Sequence, residues 1–251
     1  MRRIGRAIEA HESIGSTNDR ARALLDGGSA DGVVVVAEQQ TAGRGRRGRT
    51  WLSPPGLNLM LSICLQPRIA ASDAWQLGLA SALAVLGAAR THAPVALKWP
   101  NDVVADDGRK VAGLLVETMA DGDRLTGAIV GIGINANWSS ADMPDEIAAG
   151  ATSLADLAGG PIDRVRLLAD VLEAFEDELS RIEAGASPID RYRAACTTLG
   201  TMVSVATPTG VVDGRAVDLD AAGSLVVDAA DGGRHVISTG EVVRVARAVP
   251  A

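Results

Sequence analysis

The chain has 251 residues, of which 47% are hydrophobic and 2% aromatic, and its formal net charge is -7 at pH 7. This length allows one large domain, or one large and one small, with a core built mostly from Ala, Val, Leu and Ile. The negative charge argues against nucleic acid or an acidic membrane as partner, because contacts to phosphate supply most of that affinity.

The first predicted elements are a helix and two buried strands. The segment 16–28, STNDRARALLDGG, predicts a helix because a Ser/Thr/Asn start and a Gly stop flank an amphipathic body. VVVVAE (33–38) and NLMLSICL (58–65) are typical of buried strands. The basic start before them is not followed by the apolar run of a signal peptide, so we expect a cytoplasmic protein.

A long Ala/Leu-rich helix is predicted over 72–90, and its apolar stretch is too short to span a bilayer. Strands are then expected at 95–100, at 111–117 after a polar hairpin at 106–110, and at 125–135. Two later segments have helical period and composition, 162–184 and 188–199.

Beyond Gly200 the chain changes character. Short Val-rich runs alternate with Pro-Thr-Gly, Ala-Gly and Asp-Gly-Gly turns, which predicts a small all-β module. At about 50 residues such a module is marginal alone, so we expect it to pack on the first domain. The predicted domains are residues 1–199 and 200–251.

The cysteines and histidines do not indicate a metal site. Cys64 and Cys196 lack a CxxC pattern and a histidine at ligand spacing, so inert core thiols are expected. The three histidines are far apart in the sequence and lie in unlike contexts: His11, His92 and His235.

Residues 43–51, GRGRRGRTW, are the most unusual segment and are called the arginine loop below. They satisfy the dinucleotide fingerprint literally and nearly match a P-loop. Both motifs need a helix directly afterwards, which Pro54 and Pro55 disfavour. The loop is therefore either a solvated charge run or a clamp that is mobile through charge repulsion until it orders over an anionic ligand, since guanidinium groups bind such oxygens bidentately.

Other charged residues lie at strand ends. LKWPND places Lys98, Asn101 and Asp102 after an apolar strand, as a polar turn or as part of a site held by a rigid sheet. Asp102 could hold Mg²⁺ directly or through water. Lys110 precedes a buried strand, where it either reaches solvent or meets a buried anion. GIGIN (131–135) is either a packed strand or a ligand wall.

Five motifs occur in the order GSTN (15–18), AEQQTAGRGRRGRTW (37–51), LKWPNDV (97–103), GRKVAGLLVE (108–117) and GIGIN (131–135). Together they resemble the bacterial biotin protein ligases. The resemblance implies an α+β fold: a catalytic domain like that of class II aminoacyl-tRNA synthetases, with a mixed sheet and packed helices. It also implies a small C-terminal SH3-like β-barrel.

The resemblance implies a two-step reaction with ATP and Mg²⁺. The biotin carboxylate attacks the α-phosphate of ATP, and a lysine of a biotin carboxyl-carrier domain then takes the biotinyl group from the adenylate. Bringing two anions together calls for preorganised cations rather than for a covalent nucleophile.

Site residues follow by motif position. The resemblance implies catalytic roles for Lys110, Arg44 and Arg46. Biotin contacts are implied for Ser16, Thr17, Asn18, Gln40, Gly43, Arg44, Gly45, Arg46, Lys110, Gly113 and Gly131. ATP contacts are implied for Arg44, Arg46, Arg49, Trp51, Lys98, Asn101, Asp102, Lys110 and Asn135. Asp102 is the implied magnesium ligand, and Trp51 or Trp138 is expected to cover the adenine.

Many relatives carry an N-terminal DNA-binding domain, whereas only 15 residues precede Ser16 here. We therefore expect a ligase that does not regulate transcription and does not bind specific DNA. Two rival functions are a lipoate ligase or octanoyl transferase of related fold, and a nucleic-acid-binding regulator that uses the arginine loop.

Overall fold

The computed structural model describes residues 3–28, 30–230 and 232–246, so the extreme ends of the two predicted domains lie outside the described residues. The first of two sheets has seven strands: β1 (Ala7–His11), β2 (Val33–Ala37), β3 (Leu59–Leu65), β4 (Val95–Lys98), β5 (Asp102–Ala105), β6 (Lys110–Asp121) and β7 (Arg124–Ile134). Their spatial order is β1-β2-β3-β7-β6-β5-β4. Only the β1–β2 pair is parallel among them, which makes the sheet mixed.

Two strands of this sheet were not predicted from the sequence. β1 lies at one edge and is largely exposed, so it lacks the apolar run by which a buried strand is recognised. β5 has only four residues and follows the polar KWPND turn. The strands that were predicted are central ones such as β3, all of whose residues are buried.

Six α-helices accompany the sheets in the described ranges: α1 (Thr17–Asp26), α2 (Trp75–Arg90), α3 (Asp145–Ala148), α4 (Leu154–Ala158), α5 (Arg164–Glu183) and α6 (Ile189–Ala195). The helix expected over 188–199 ends earlier, at Ala195, and the short helices α3 and α4 were not predicted. A five-residue segment such as α4 is too short to show a helical period.

The helices lie on both faces of the mixed sheet. Val34 and Ile63 face a large core that also contains Leu77 of α2 and Phe175 of α5. Their strand neighbours point to the opposite face because side chains alternate along a strand. On that face α1 packs in a smaller cluster, which consists of Ala21, Leu25, Ala30, Val35, Cys64 and Ile129.

Both cysteines are buried and unpaired, as expected. Burial raises the pKa of the Cys64 thiol to about 11, so this group stays protonated at neutral pH. Burial also raises the pKa of the Cys196 thiol. Thiols in this state are poor nucleophiles, because reactivity requires the thiolate.

The C-terminal module is a five-stranded antiparallel sheet, as the turn pattern predicted. Its strands are β8 (Met202–Thr207), β9 (Gly210–Leu219), β10 (Leu225–Ala229), β11 (Arg234–Ile237) and β12 (Glu241–Ala246), in the order β11-β10-β9-β8-β12.

Side-chain contacts join this module to the first domain. The indole N–H of Trp99 donates to the Gly223 carbonyl at 3.0 Å, and Arg193 of α6 pairs with Asp218 at 2.9 Å. The module therefore docks beside the KWPND turn. Separately, within the described ranges no helix is both long and apolar enough to cross a membrane.

Replacement of Phe175 tests the large core. Phe175 is fully buried, so Phe175→Ala should lower the free energy of unfolding by about 3–5 kcal/mol through lost burial and a cavity. On the same helix, Val165 is 78% exposed, and Val165→Ala should change it by less than about 0.5 kcal/mol. Urea unfolding measures both variants; equal effects would contradict the proposed packing of α5.

Candidate active site

Two adjoining cavities lie where α1, the arginine loop and the KWPND turn meet the sheet. We call them the amide cavity and the cationic cavity. The amide cavity is lined by Ser16, Thr17, Asn18, Gln40, Arg44, Gly45, Arg46, Trp51, Leu61, Asn101, Lys110, Gly113, Leu114, Leu115, Gly131, Ile132 and Gly133. The cationic cavity is lined by Gly45, Arg46, Arg47, Arg49, Thr50, Trp51, Lys98, Trp99, Pro100, Asn101, Asp102, Lys110, Glu241 and Val242. The two cavities share Gly45, Arg46, Trp51, Asn101 and Lys110.

The amide cavity is built on a buried polar network at the start of α1. The Ser62 hydroxyl lies 2.8 Å from Thr17 Oγ1 and 2.6 Å from Asn18 Oδ1. Gln40 Oε1 accepts from the Thr17 amide at 2.8 Å. Such networks orient each member because an unpaired polar group inside the protein is costly. The groups therefore present fixed donors and acceptors to a ligand.

Glycines in β7 allow close approach to the sheet. A Cβ at Gly131 would lie 2.3 Å from Asn18 Oδ1, and one at Gly133 would lie 2.5 Å from the Trp51 ring. A Cβ at Gly113 of β6 would lie 2.7 Å from the end of the Lys110 side chain. All three distances are shorter than any normal contact, so larger residues would displace these side chains.

The arginine loop contains a short 3₁₀ turn, Arg46–Gly48, and a bridge between Arg44 and Thr50. Its four arginines point to separate partners. Arg47 donates to the Ala206 carbonyl at 3.1 Å, and Arg49 pairs with Glu241. Repulsion among the four like charges predicts that this loop is mobile until it binds an anionic ligand. In the structure that repulsion is compensated, because each cation has its own acceptor.

Arg44 is held by two carboxylates. Its guanidinium lies 2.6 Å from Asp19 Oδ1 and 3.4 Å from Glu117 Oε2. Glu117 also accepts from the Asn18 amide at 3.0 Å. Arg44 and the amide network are thus linked through one carboxylate.

Arg46 connects the loop to the KWPND turn. It donates to Asn101 Oδ1 at 2.9 Å, and the Asn101 amide donates to the Leu114 carbonyl at 2.8 Å. Burial lowers the pKa of the Arg46 guanidinium, while the negative charges of Asp102 and Glu241 oppose that shift. Arginine remains protonated in proteins, so Arg46 is a partly desolvated positive charge aimed at both cavities.

Lys110 stands at the junction of the two cavities. Its Nζ lies 2.7 Å from Asp102 Oδ1 and 5.5 Å from the centre of the Trp51 ring. The Lys110 backbone pairs with the 150–152 segment, through Gly150 O at 2.8 Å and Thr152 N at 2.9 Å. The lysine is therefore fixed at its backbone and at its ammonium group.

Most of the residues implied by the resemblance line one or both cavities, but three do not. Gly43 instead stabilises the arginine loop, because its carbonyl accepts a hydrogen bond from the backbone N–H of Trp51 at 2.9 Å. Asn135 is buried, and its side chain donates to the Thr152 carbonyl at 3.2 Å. Trp138 packs against Met143 and Ala151 in a separate cluster. Of the two tryptophans expected to cover the adenine, Trp51 therefore lines the cavities and Trp138 does not.

Several residues at the site were not singled out from the sequence. Gly133 lies in GIGIN and Glu117 in GRKVAGLLVE, so membership of these motifs was the signal by which the sequence could have identified them. Asp19 and Glu241 had no such signal in the sequence, because they come close to the loop only when the chain folds. All four touch a residue of the arginine loop: Arg44, Arg49 or Trp51.

In the described residues no group of three or more His, Cys, Asp or Glu side chains could hold a metal ion. The site instead combines a neutral polar cavity with a cationic one. This arrangement suits the class of enzymes that position a small molecule with a polar head group beside an anionic second substrate.

Sequence comparisons agree with this class. The Biotin/lipoate A/B protein ligase family matches residues 11–135, and the Biotin protein ligase C terminal domain matches residues 198–245. A biotin–acetyl-CoA-carboxylase ligase of Mycobacterium tuberculosis is 37% identical, over 95% of this chain and 89% of its own length. The bifunctional ligase/repressor BirA of Bacillus subtilis is 34% identical, over 94% of this chain and 73% of its own length.

Among solved structures, biotin protein ligase from Aquifex aeolicus in complex with biotin and ATP aligns with a TM-score of 0.80 and 31% identity. The alignment covers 97% of this chain and 100% of that chain. The chain therefore belongs to the Biotin/lipoate A/B protein ligase family. The resemblance to biotin protein ligases, and the fold class that it implied, are confirmed.

Gly133→Ala tests the close packing of Trp51 on β7. The new methyl group should push the ring outward, increase acrylamide quenching of tryptophan fluorescence and destabilise the fold by about 1–3 kcal/mol. Gly78→Ala is the control, because a Cβ there has open space. In a Trp51→Phe background the quenching increase should vanish; if it persists, Trp51 does not occupy this position.

Proposed function

We propose that this chain is an ATP-dependent biotin protein ligase that forms biotinyl-5'-AMP and transfers biotin to a lysine of a biotin carboxyl-carrier domain. The observation that carries the proposal is the junction of a neutral polar cavity with a cationic one at Lys110. The named relatives and the Aquifex complex with biotin and ATP support the same two substrates.

We propose that biotin occupies the amide cavity. Its ureido ring needs both donors and acceptors, which Ser16, Thr17, Asn18 and Gln40 supply from a preorganised network. Gly113 and Gly131 keep the sheet surface low enough for a ligand and for the side chains that surround it. The remaining proposed contacts are Gly43, Arg44, Gly45, Arg46 and Lys110.

The carboxylate of biotin then lies towards the junction. There a carboxylate oxygen of biotin attacks the α-phosphorus of ATP and forms a carboxyl–phosphate bond. The bond from the α-phosphorus to the bridging oxygen breaks, and pyrophosphate leaves with its electron pair. Lys110, Arg44 and Arg46 are the proposed catalytic residues. Their positive charges offset repulsion between the two anions and stabilise the charge that develops on the phosphate oxygens. In the second step the carrier lysine attacks the acyl carbon, and AMP leaves.

We propose that ATP occupies the cationic cavity. Arg49, Lys98 and Asn101 line it with donors, and the Trp51 ring provides an aromatic face for the adenine. Asn135, implied as an ATP contact, lines neither cavity. Its side-chain bond to the Thr152 carbonyl supports an indirect role, in which it holds the strand segment around Lys110.

The two carboxylates that line the cationic cavity are both paired, Asp102 with Lys110 and Glu241 with Arg49. They do not form a resident metal site. Magnesium usually keeps phosphate and water ligands. We therefore propose that Mg²⁺ enters on the ATP phosphates, where it would neutralise their charge, with Asp102 contacting it through water.

We divide the chain at residues 199 and 200 into the catalytic domain and the SH3-like module. We expect a cytoplasmic location, where ATP is available. We expect no specific binding of DNA, because the chain has a formal net charge of -7 and contacts to phosphate supply most of the affinity for DNA.

Lys110→Ala should lower adenylate formation at least 100-fold, on the order of the effect of removing one preorganised electrostatic contact. It also leaves the Asp102 carboxylate facing the incoming phosphates. The neighbouring cation provides a control: Arg109 pairs with the exposed Asp107, and Arg109→Ala should retain activity. The rate of biotin-dependent formation of labelled adenylate is measured for both variants. A Lys110→Ala enzyme that forms adenylate at the rate of the unsubstituted chain would refute the catalytic role of Lys110.

The lipoate alternative is tested by pyrophosphate exchange into ATP. Because the amide cavity offers both donors and acceptors for a ureido ring, exchange should require biotin and should be absent with lipoate or octanoate. A transfer assay with a carrier domain then checks the second step. Exchange with lipoate and none with biotin would overturn the proposed substrate.

A further inference from the structure

We propose that Glu241 of the C-terminal module is a positioning residue that holds the arginine loop over the cationic cavity and so retains the acyl adenylate. This inference rests on the proposed function and extends it to a residue outside the catalytic domain. Glu241 opens β12, and together with Val242 it lines the cationic cavity. The module is thus part of the wall of that cavity.

Two contacts between the loop and the module fall on one rung of the module's sheet. Arg49 pairs with the Glu241 carboxylate, and Arg47 donates to the carbonyl of Ala206 at 3.1 Å. Glu241 and Ala206 are register partners in the β12–β8 pair. Arg47 in the 3₁₀ turn and Arg49 directly after it therefore reach adjacent acceptors on one β-ladder.

The turn itself needs such support. Arg47 has a φ of 57°, and Gly48 follows with a φ of 74°. A non-glycine residue in the left-handed region persists when surrounding contacts hold it there. Because the loop lies over the cavity, those contacts also determine how the cavity is covered.

The rung is fixed relative to the catalytic domain. Trp99, in the KWPND turn, donates to the Gly223 carbonyl, and Arg193 of α6 pairs with Asp218. The module is therefore anchored to two elements other than the loop. An acceptor on an anchored strand restrains the loop, whereas one on a free strand would move with it.

The charge of Glu241 also fits this role. The hydrogen bond from Arg49 lowers the pKa of the Glu241 carboxyl, and the charges of Arg49, Arg47 and Lys98 act in the same direction. The group is ionised at neutral pH. An unpaired carboxylate in the wall of a cavity for phosphates would repel them, and pairing with Arg49 removes that penalty.

The experiment uses the full chain with biotin and ATP. Glu241→Gln keeps the size of the side chain and removes its charge. Bound labelled adenylate should dissociate at least fivefold faster from this variant, and protease should cut the 43–51 loop faster. Because Glu241 lines the cavity proposed for ATP, the rate of adenylate formation at saturating substrates should also fall, but by a smaller factor than the dissociation rate rises.

Asp228→Asn is the matched control. It breaks another carboxylate–arginine pair of the same module, with Arg234, at residues that line neither cavity. Its adenylate should dissociate at the unsubstituted rate. The proposal is overturned if Glu241→Gln leaves the dissociation rate of the adenylate unchanged. It is also overturned if the rate of adenylate formation falls by the same factor as the dissociation rate rises. Failure of the unsubstituted chain to form any biotin-dependent adenylate would instead refute the proposed function.

Discussion

The concentration of positive charge beside one stretch of sheet is the constraint on which the site depends. Arg44, Arg46, Arg49 and Lys110 line the two adjoining cavities, and like charges in proximity repel each other. The chain resolves this by giving each cation a separate acceptor. These acceptors come from distant parts of the sequence: Asp19, Glu117, Asn101, Asp102 and Glu241. The cluster therefore exists only in the folded chain.

The same pairs explain how the cations are oriented before any substrate binds. An arginine already bonded to Asn101 or to Glu241 has lost much of its rotamer freedom, so less entropy is lost when it meets a phosphate. Lys110 is fixed in a similar way by Asp102 and by its backbone bonds. In the proposed function, substrate anions compete with these carboxylates for the same positive charges. Substrate binding would then replace a carboxylate of the chain with a substrate anion at a cation that is already oriented.

Much of the fold and site was predictable from the sequence because the signals were local. The central strands are apolar runs, and the arginine loop, the KWPND turn and Lys110 lie within short motifs whose joint order is specific. The exposed edge strand β1 and the four-residue β5 carry no such periodic signal. Asn135 has the residue type of a ligand contact, yet burial commits its amide to a backbone carbonyl.

Glu241 shows where sequence reasoning ends. It lies 192 residues after Arg49 and within a Val-rich strand, where a lone acid indicates only a solvated edge. Docking of the module brings Glu241 to Arg49, because the module's β12–β8 ladder faces the loop once Trp99 and Arg193 hold the module in place. A small sheet that is marginal alone gains stability from this docking. The contacts that stabilise the module therefore also set the wall of the cationic cavity, so stability of the module and geometry of the site are coupled.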